Sequence, residues 1–160
     1  MSCARRLREF LDSRASMYVT INHSRAFTAQ EIAASLHVPG REMAKTVVVR
    51  TEHGLALVVL RALDHVNLGR VGRELGGSAV LASESDFGVA FPDCEVGSMP
   101  PFGNLYQLPT LVDREITRDK EIVFNAGTHT DAVRMEYAEY ARLVRPRVLD
   151  VTMRQAQYAG

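Results

Sequence analysis

Apolar residues recur along this chain in two rhythms, and each change of rhythm marks an element. Over residues 2–14, Leu7, Phe10 and Leu11 fall at helical spacing among arginines, which predicts a short amphipathic helix with one buried stripe. Met17 to Ile21 alternates and reads as a strand. Thr28-Ala29-Gln30-Glu31 has the form of a capping box, and Ile32, Ala33 and Leu36 continue one helical face until Pro39-Gly40 stops it.

Two β-branched and leucine-rich runs follow at 45–51 and 55–60, separated by Glu52-His53-Gly54, the composition of a tight hairpin at the centre of a sheet. A helix from about Leu68 to Leu75, punctuated by Gly76-Gly77, a strand at Ala79-Val80-Leu81 and a second capping box over Ser83 to Asp86 come in quick succession. Phe91 to Gly103 holds Pro92, Gly97, Pro100, Pro101 and Gly103, so it predicts a shaped loop. Strands are expected near Leu105–Leu108, Thr110–Asp113 and Glu121–Phe124. A polar turn over Asn125 to Thr130, a strand around Ala132–Met135 and a helix from Tyr137 to Val144, ended by Pro146, complete the pattern. Hairpins and helices mix without βαβ alternation, which predicts an α+β arrangement, a mixed and strongly curved sheet flanked by helices.

A chain of 160 residues is one ordinary domain, able to bury its own core without disulfides or metals. An apolar fraction of 46% and a charged fraction of 24% are those of a soluble globular protein. No stretch approaches the length a membrane-spanning helix needs. The formal net charge is zero, so no global excess advertises nonspecific duplex binding, although a local arginine face can still grip phosphates. Cys3 and Cys94 are too few and too separated for a disulfide framework or a zinc site, and Met1-Ser2-Cys3-Ala4-Arg5-Arg6 lacks the apolar core of a signal peptide. The expectation is a reducing cytoplasm.

Chemistry points first to Lys45. It is one of two lysines beside seventeen arginines, and it opens the apolar run Lys45-Thr46-Val47-Val48-Val49. An ammonium shifts its pKa on burial, whereas a guanidinium stays charged and forks onto carboxylates or phosphates. The bland alternative is a lysine at a strand end that sends its head to water and packs only its stem. The loop Gly97-Ser98-Met99-Pro100-Pro101-Phe102-Gly103 is the second candidate: prolines fix its backbone while glycines let a ligand approach peptide groups closely. Without a ligand it is simply a rigid crossover. Gly127-Thr128-His129 is the third, an imidazole beside a glycine turn.

Other chemistries find little support. His23, His37, His53, His65 and His129 show no metal-ligand spacing, so no metal is expected. No glycine fingerprint for a nucleotide cofactor appears, and none is expected. No G-x-S-x-G elbow surrounds Ser98. Cys94 lies between Asp93 and Glu95, whose charges would raise a thiol pKa and blunt it as a nucleophile.

Met43-Ala44-Lys45-Thr46-Val47-Val48-Val49, the G-x-x-x-P loop from Gly97 to Pro101 with Phe102-Gly103, and the Asn125-Ala126-Gly127 turn, in this order and with His23 and the Thr28 helix ahead, resemble the YbaK and prolyl-tRNA synthetase-associated editing domain family. The resemblance spans about residues 16–145. It implies a YbaK-like α/β fold of α+β type, with a barrel-like mixed sheet, and a freestanding trans-editing deacylase that hydrolyses the ester of a mischarged tRNA. The family's lysine falls on Lys45, its loop on Gly97 and Pro101, and the pocket histidine of its alanine-type members on His129. Asn125 and Ala132 stand where the cysteine-clearing branch would have serine and aspartate, a departure from a cysteinyl specificity.

On that resemblance, Lys45 and Gly97 are the catalytic candidates. Phe27, Ile32, Ser98, Pro101, Phe102, Gly127 and His129 are the substrate-binding ones. Neither metal nor cofactor is implied. Serine, threonine or alanine on a noncognate tRNA such as tRNA-Pro is the implied substrate, with Arg41, Arg50, Arg73 and Arg134 as candidate phosphate contacts and a synthetase as a candidate partner. Two competing readings are a noncatalytic amino-acid or tRNA-binding module that docks on a synthetase, and a Schiff-base enzyme built on Lys45.

Overall fold

In the computed structural model, residues 2–23 and 43–153 are described. Helix α1 (Cys3–Ser13) begins where the Ser2 hydroxyl accepts the Arg5 N–H, and it buries Cys3, Leu7 and Leu11 along one stripe. Strand β1 (Val19–Asn22) follows, somewhat later than the alternation suggested. The capping box at Thr28 and the helix behind it lie outside the described residues.

Strands β2 (Ala44–Thr51) and β3 (Gly54–Arg61) pair antiparallel in the expected hairpin, with Lys45 opposite Leu60 and Thr51 opposite Gly54. The turn needs glycine, because residue 54 has φ +114°. Helix α2 (Leu68–Glu74) is capped by Asn67, and β4 (Ala79–Leu81) adds to the free edge of β2. Helix α3 (Glu84–Ala90) opens on a complete capping box between Ser83 and Asp86. Strands β5 (Thr110–Asp113), β6 (Glu121–Asn125) and β7 (Asp131–Glu136), helix α4 (Tyr137–Val144) and β8 (Arg147–Leu149) complete the order.

The strands form two open sheets, β1-β7-β6 and β4-β2-β3-β5-β8, the second mixed because β5 runs parallel to both β3 and β8. The expectation of a mixed α+β fold holds, with β2 and β3 inside the larger sheet. A closed barrel does not form among the described residues: a single bridge, Met43 to Val123, is what joins the sheets. The strand expected at Leu105–Leu108 is instead a 3-10 turn over Gly103–Tyr106, ended by Gln107 in the left-handed region.

One core fills the space between the sheets. Leu7 and Leu11 of α1, Val59, Val112, Phe124 and Tyr140 meet around Phe102, whose ring packs edge-on to Phe10 and Tyr140. On the outer face of the larger sheet, Val49, Val58, Leu60 and Leu111 pack with Val71 of α2 and Val151. The fully buried carboxylate of Asp113 accepts the Val151 N–H at 3.1 Å, which ties the chain after β8 to the end of β5.

Candidate functional site

The loop between α3 and the 3-10 turn is built to hold one exposed glycine over a buried base. Gly97 is exposed and has φ +83°, a conformation that favours glycine, whereas Ser98 through Gly103 are all buried. The Ser98 hydroxyl donates to the Glu95 carbonyl oxygen at 2.7 Å. The Pro101 carbonyl oxygen accepts the Tyr140 hydroxyl at 2.6 Å, and Phe102 is a core residue. Of the sequence-predicted binding residues, Ser98, Pro101 and Phe102 therefore present no free side chain. They fix the backbone on which Gly97 stands.

The β6–β7 turn is brought against this loop. Glu95 N–H donates to the Gly127 carbonyl oxygen at 3.0 Å, and Gly127 N–H donates to the Ser98 carbonyl oxygen at 2.9 Å. The Thr128 hydroxyl donates to Asp131 Oδ2 at 2.6 Å and accepts the Asp131 N–H at 3.0 Å, which sets the turn between the strands. His129 is buried, and its Cε1 would lie 3.8 Å from a Cβ placed on Gly97. Its backbone N–H donates to Glu95 Oε1 at 3.1 Å. Gly97, Gly127 and His129 thus lie close together. Glu95 joins them with no signal in the sequence beyond its place two residues before Gly97.

A cleft of about 260 Å³ opens beside Gly97, lined by Thr46, Val47 and Val48 of β2, Leu81, Ser83 and Phe87. Lys45 is the neighbour of the lining residue Thr46. Strand alternation puts its side chain on the face of Val47 and Val49, opposite Thr46 and Val48. There it is half-buried, and loss of solvation lowers its pKa below the ordinary lysine value, with the charge of Asp64 acting in the opposite sense. Phe27, Ile32 and Arg41 lie outside the described residues. A larger groove of about 420 Å³ runs along β1 and β7 between Met17, Tyr18, Glu121 and Arg134, and holds neither catalytic candidate.

The candidate arginines among the described residues sit on three different elements. Arg50 on β2 lies 3.5 Å from Asp86, Arg73 is exposed in the last turn of α2, and Arg134 is on β7. Asn125 and Ala132 face each other across β6 and β7, with Asn125 Oδ1 buried and without a hydrogen-bond partner among the described residues.

The cysteines are a correction. Cys94 is not a thiol between two carboxylates but half of a disulfide with Cys3, across 91 residues of chain. The Tyr106 hydroxyl packs against both sulfurs and donates to Asp93 Oδ1 at 3.1 Å, with burial and the Asp93 charge pushing its pKa well up. The bond staples the start of α1 beside the Gly97 loop and the Gly127 turn.

Among known proteins, the profile of a family described as the aminoacyl-tRNA editing domain matches residues 23–143. The Multifunctional Ser/Thr-tRNA deacylase ProXp-y of Escherichia coli (strain K12) is 30% identical over 96 residues, 59% of this chain and 57% of that protein. The aligned stretch thus spans little more than half the length of that relative. A crystal structure of a candidate trans-editing enzyme for prolyl tRNA synthetase superposes with a TM-score of 0.83 at 24% identity, covering 96% of this chain and 99% of that one. The hypothetical protein APE2540 superposes with a TM-score of 0.84 at 21% identity, covering 92% and 99%. At these identities the two structures speak for a shared fold.

Proposed function

The chain belongs to the aminoacyl-tRNA editing domain family, and we propose that it is a trans-editing deacylase, a hydrolase that clears serine, threonine or alanine from a noncognate tRNA such as tRNA-Pro. The observation that carries this reading is the exposed Gly97 beside a cleft, with the buried His129 near enough that its Cε1 would lie 3.8 Å from a Cβ on Gly97. The family match and the partial likeness to a Ser/Thr-tRNA deacylase support it.

An aminoacyl ester is already activated, so the protein has mainly to place water and stabilise charge. Water adds to the ester carbonyl carbon and the carbonyl oxygen becomes an oxyanion. The bond to the ribose oxygen then breaks, and that oxygen leaves with a proton. In the proposal, backbone groups at Gly97 hold the water. Lys45, at the mouth of β2, orients the ester end or offsets the developing charge, and its partial burial strengthens such an effect. The terminal ribose hydroxyl or the amino acid's own side chain supplies an alternative source of assistance. In the proposal, His129 is a wall that selects a small side chain, Phe27 and Ile32 remain sequence candidates outside the described residues, and exclusion by clash spares the correctly charged tRNA. No step requires a metal or a cofactor. The tRNA partner would be held weakly and in a salt-sensitive way by dispersed arginines such as Arg50, Arg73 and Arg134.

One observation favours a second reading. Lys45 is not among the residues that line the cleft, although its neighbours Thr46, Val47 and Val48 are, as suits a noncatalytic module that binds an amino acid or tRNA and docks on a synthetase. Deacylation of seryl-, threonyl-, alanyl- and cysteinyl-tRNA by wild type and Lys45→Ala separates the two, with prolyl-tRNA as the cognate control. The deacylase reading expects one mischarged species to be hydrolysed by wild type and not by Lys45→Ala. Equal rates in both proteins would remove Lys45 from the chemistry, and no hydrolysis of any species would favour the binding module.

A further inference from the structure

We propose that Glu95 is a positioning residue of this site, setting the selectivity wall formed by His129; the inference rests on the deacylase reading for its kinetic consequence but not for its geometry. Both backbone groups of Glu95 and its carboxylate bond within the two segments that meet here. Its N–H donates to the Gly127 carbonyl oxygen at 3.0 Å, its carbonyl oxygen accepts both the N–H and the hydroxyl of Ser98 at 3.1 and 2.7 Å, and its carboxylate accepts the His129 N–H at 3.1 Å.

The carboxylate contact is separable from the rest. The loop and the turn are already joined by the backbone pair Glu95 N–H to Gly127 and Gly127 N–H to Ser98, so the side chain is not needed to hold them together. Between the loop and the turn it adds a charge-assisted bond to the amide of residue 129. That bond fixes where the His129 backbone leaves the turn, and therefore where the ring comes to rest against Gly97, 3.8 Å from the position of a Cβ. A site that discriminates by shape depends on tenths of an ångström at such a wall.

Glu95→Gln keeps an oxygen acceptor at the same reach, whereas Glu95→Ala removes it. Each variant is compared with wild type for kcat and KM on seryl-, threonyl- and alanyl-tRNA. Backbone amide NMR of His129 is recorded in parallel. Glu95→Ala is expected to compress the ratio of kcat/KM between the best and second-best substrate by about tenfold, the scale of one charge-assisted hydrogen bond. Its His129 amide should shift upfield and exchange faster. Glu95→Gln should restore most of both.

Wild-type selectivity in Glu95→Ala would overturn the inference. So would an equal loss in both variants, which would assign the carboxylate's charge to the reaction itself. If wild type hydrolyses none of the esters, the deacylase reading fails by itself. The His129 amide then decides the geometry: unchanged in Glu95→Ala, it overturns the positioning role, and shifted in Glu95→Ala but restored in Glu95→Gln, it upholds it.

Discussion

The side chain of Cys3 fills the space beside Gly127: a Cβ on Gly127 would come to 2.7 Å from Cys3 Cβ and 2.8 Å from Cys3 Sγ. It would also meet the Ala4 nitrogen at 3.0 Å, so α1 begins in a notch that only glycine leaves open. The helix is thereby coupled to the turn that carries His129.

Gly127→Ala should accordingly do two kinds of damage. The residue has φ +99°, where a Cβ is strained, and the methyl would push against backbone as well as side chain. A loss of about 1–3 kcal/mol is expected in urea denaturation. Faster amide exchange at the start of α1 should accompany it. A variant as stable as wild type would show that α1 can move off the turn without cost.

The disulfide makes a second, independent tie. Cys3 N–H donates to the Asp93 carbonyl oxygen at 2.9 Å and Arg6 pairs with Asp93 at 3.0 Å, so the two ends of the bond are aligned without it. Reduction should therefore leave a folded protein that is less stable by about 2–4 kcal/mol, most of it through the freed unfolded chain. Cys3→Ser should match the reduced protein and become insensitive to dithiothreitol. If wild-type stability does not change on adding the reductant, the cysteines are not paired in solution.

Elements whose information is local were legible beforehand. The β2–β3 hairpin follows from β-branched runs flanking Gly54, and α3 from the Ser83 to Asp86 capping box. Elements fixed by distant partners were not. The 3-10 turn replaces the expected strand at Leu105–Leu108 because Phe102 and Tyr106 are drawn into separate aromatic contacts. The short β8 exists because β5 offers it a parallel edge. Within the site, the structure places Gly97 beside Gly127 and His129, three residues that the motifs had singled out separately. Composition could not show that Ser98 and Phe102 turn inward, since a loop rich in glycine and proline carries no period. The pairing of Cys3 with Cys94 likewise depends on α1 docking against the far end of the fold.

Tyr140 tests how firmly the Gly97 loop is anchored from below. Its hydroxyl donates to the Pro101 carbonyl oxygen at 2.6 Å inside a fully buried aromatic cluster with Phe102 and Phe124. Tyr140→Phe keeps the ring and strands the carbonyl, so a loss of about 1–3 kcal/mol is expected from the unmet acceptor. Thermal unfolding measures it. A neutral result would mean that the Pro101 carbonyl oxygen finds another donor when the hydroxyl is gone.

Lys45 provides the prediction in which stability and function pull apart. Desolvation lowers its folded pKa below the value of 10.5 for an ordinary lysine, so in the window between the two the unfolded chain holds more protons. The penalty on folding is complete below the folded pKa and fades as pH rises toward 10.5. Lys45→Met, of similar reach and apolar, should therefore be more stable than wild type at pH 7, and the difference should shrink as pH is raised to 10. Urea midpoints for both proteins across that range measure it. On the deacylase proposal, the same variant should also lose deacylation of the mischarged tRNA, because the ammonium proposed to orient the ester end is gone. A Met variant less stable than wild type at pH 7 would show instead that attraction to Asp64 outweighs desolvation, and the lysine would then be explained by structure alone.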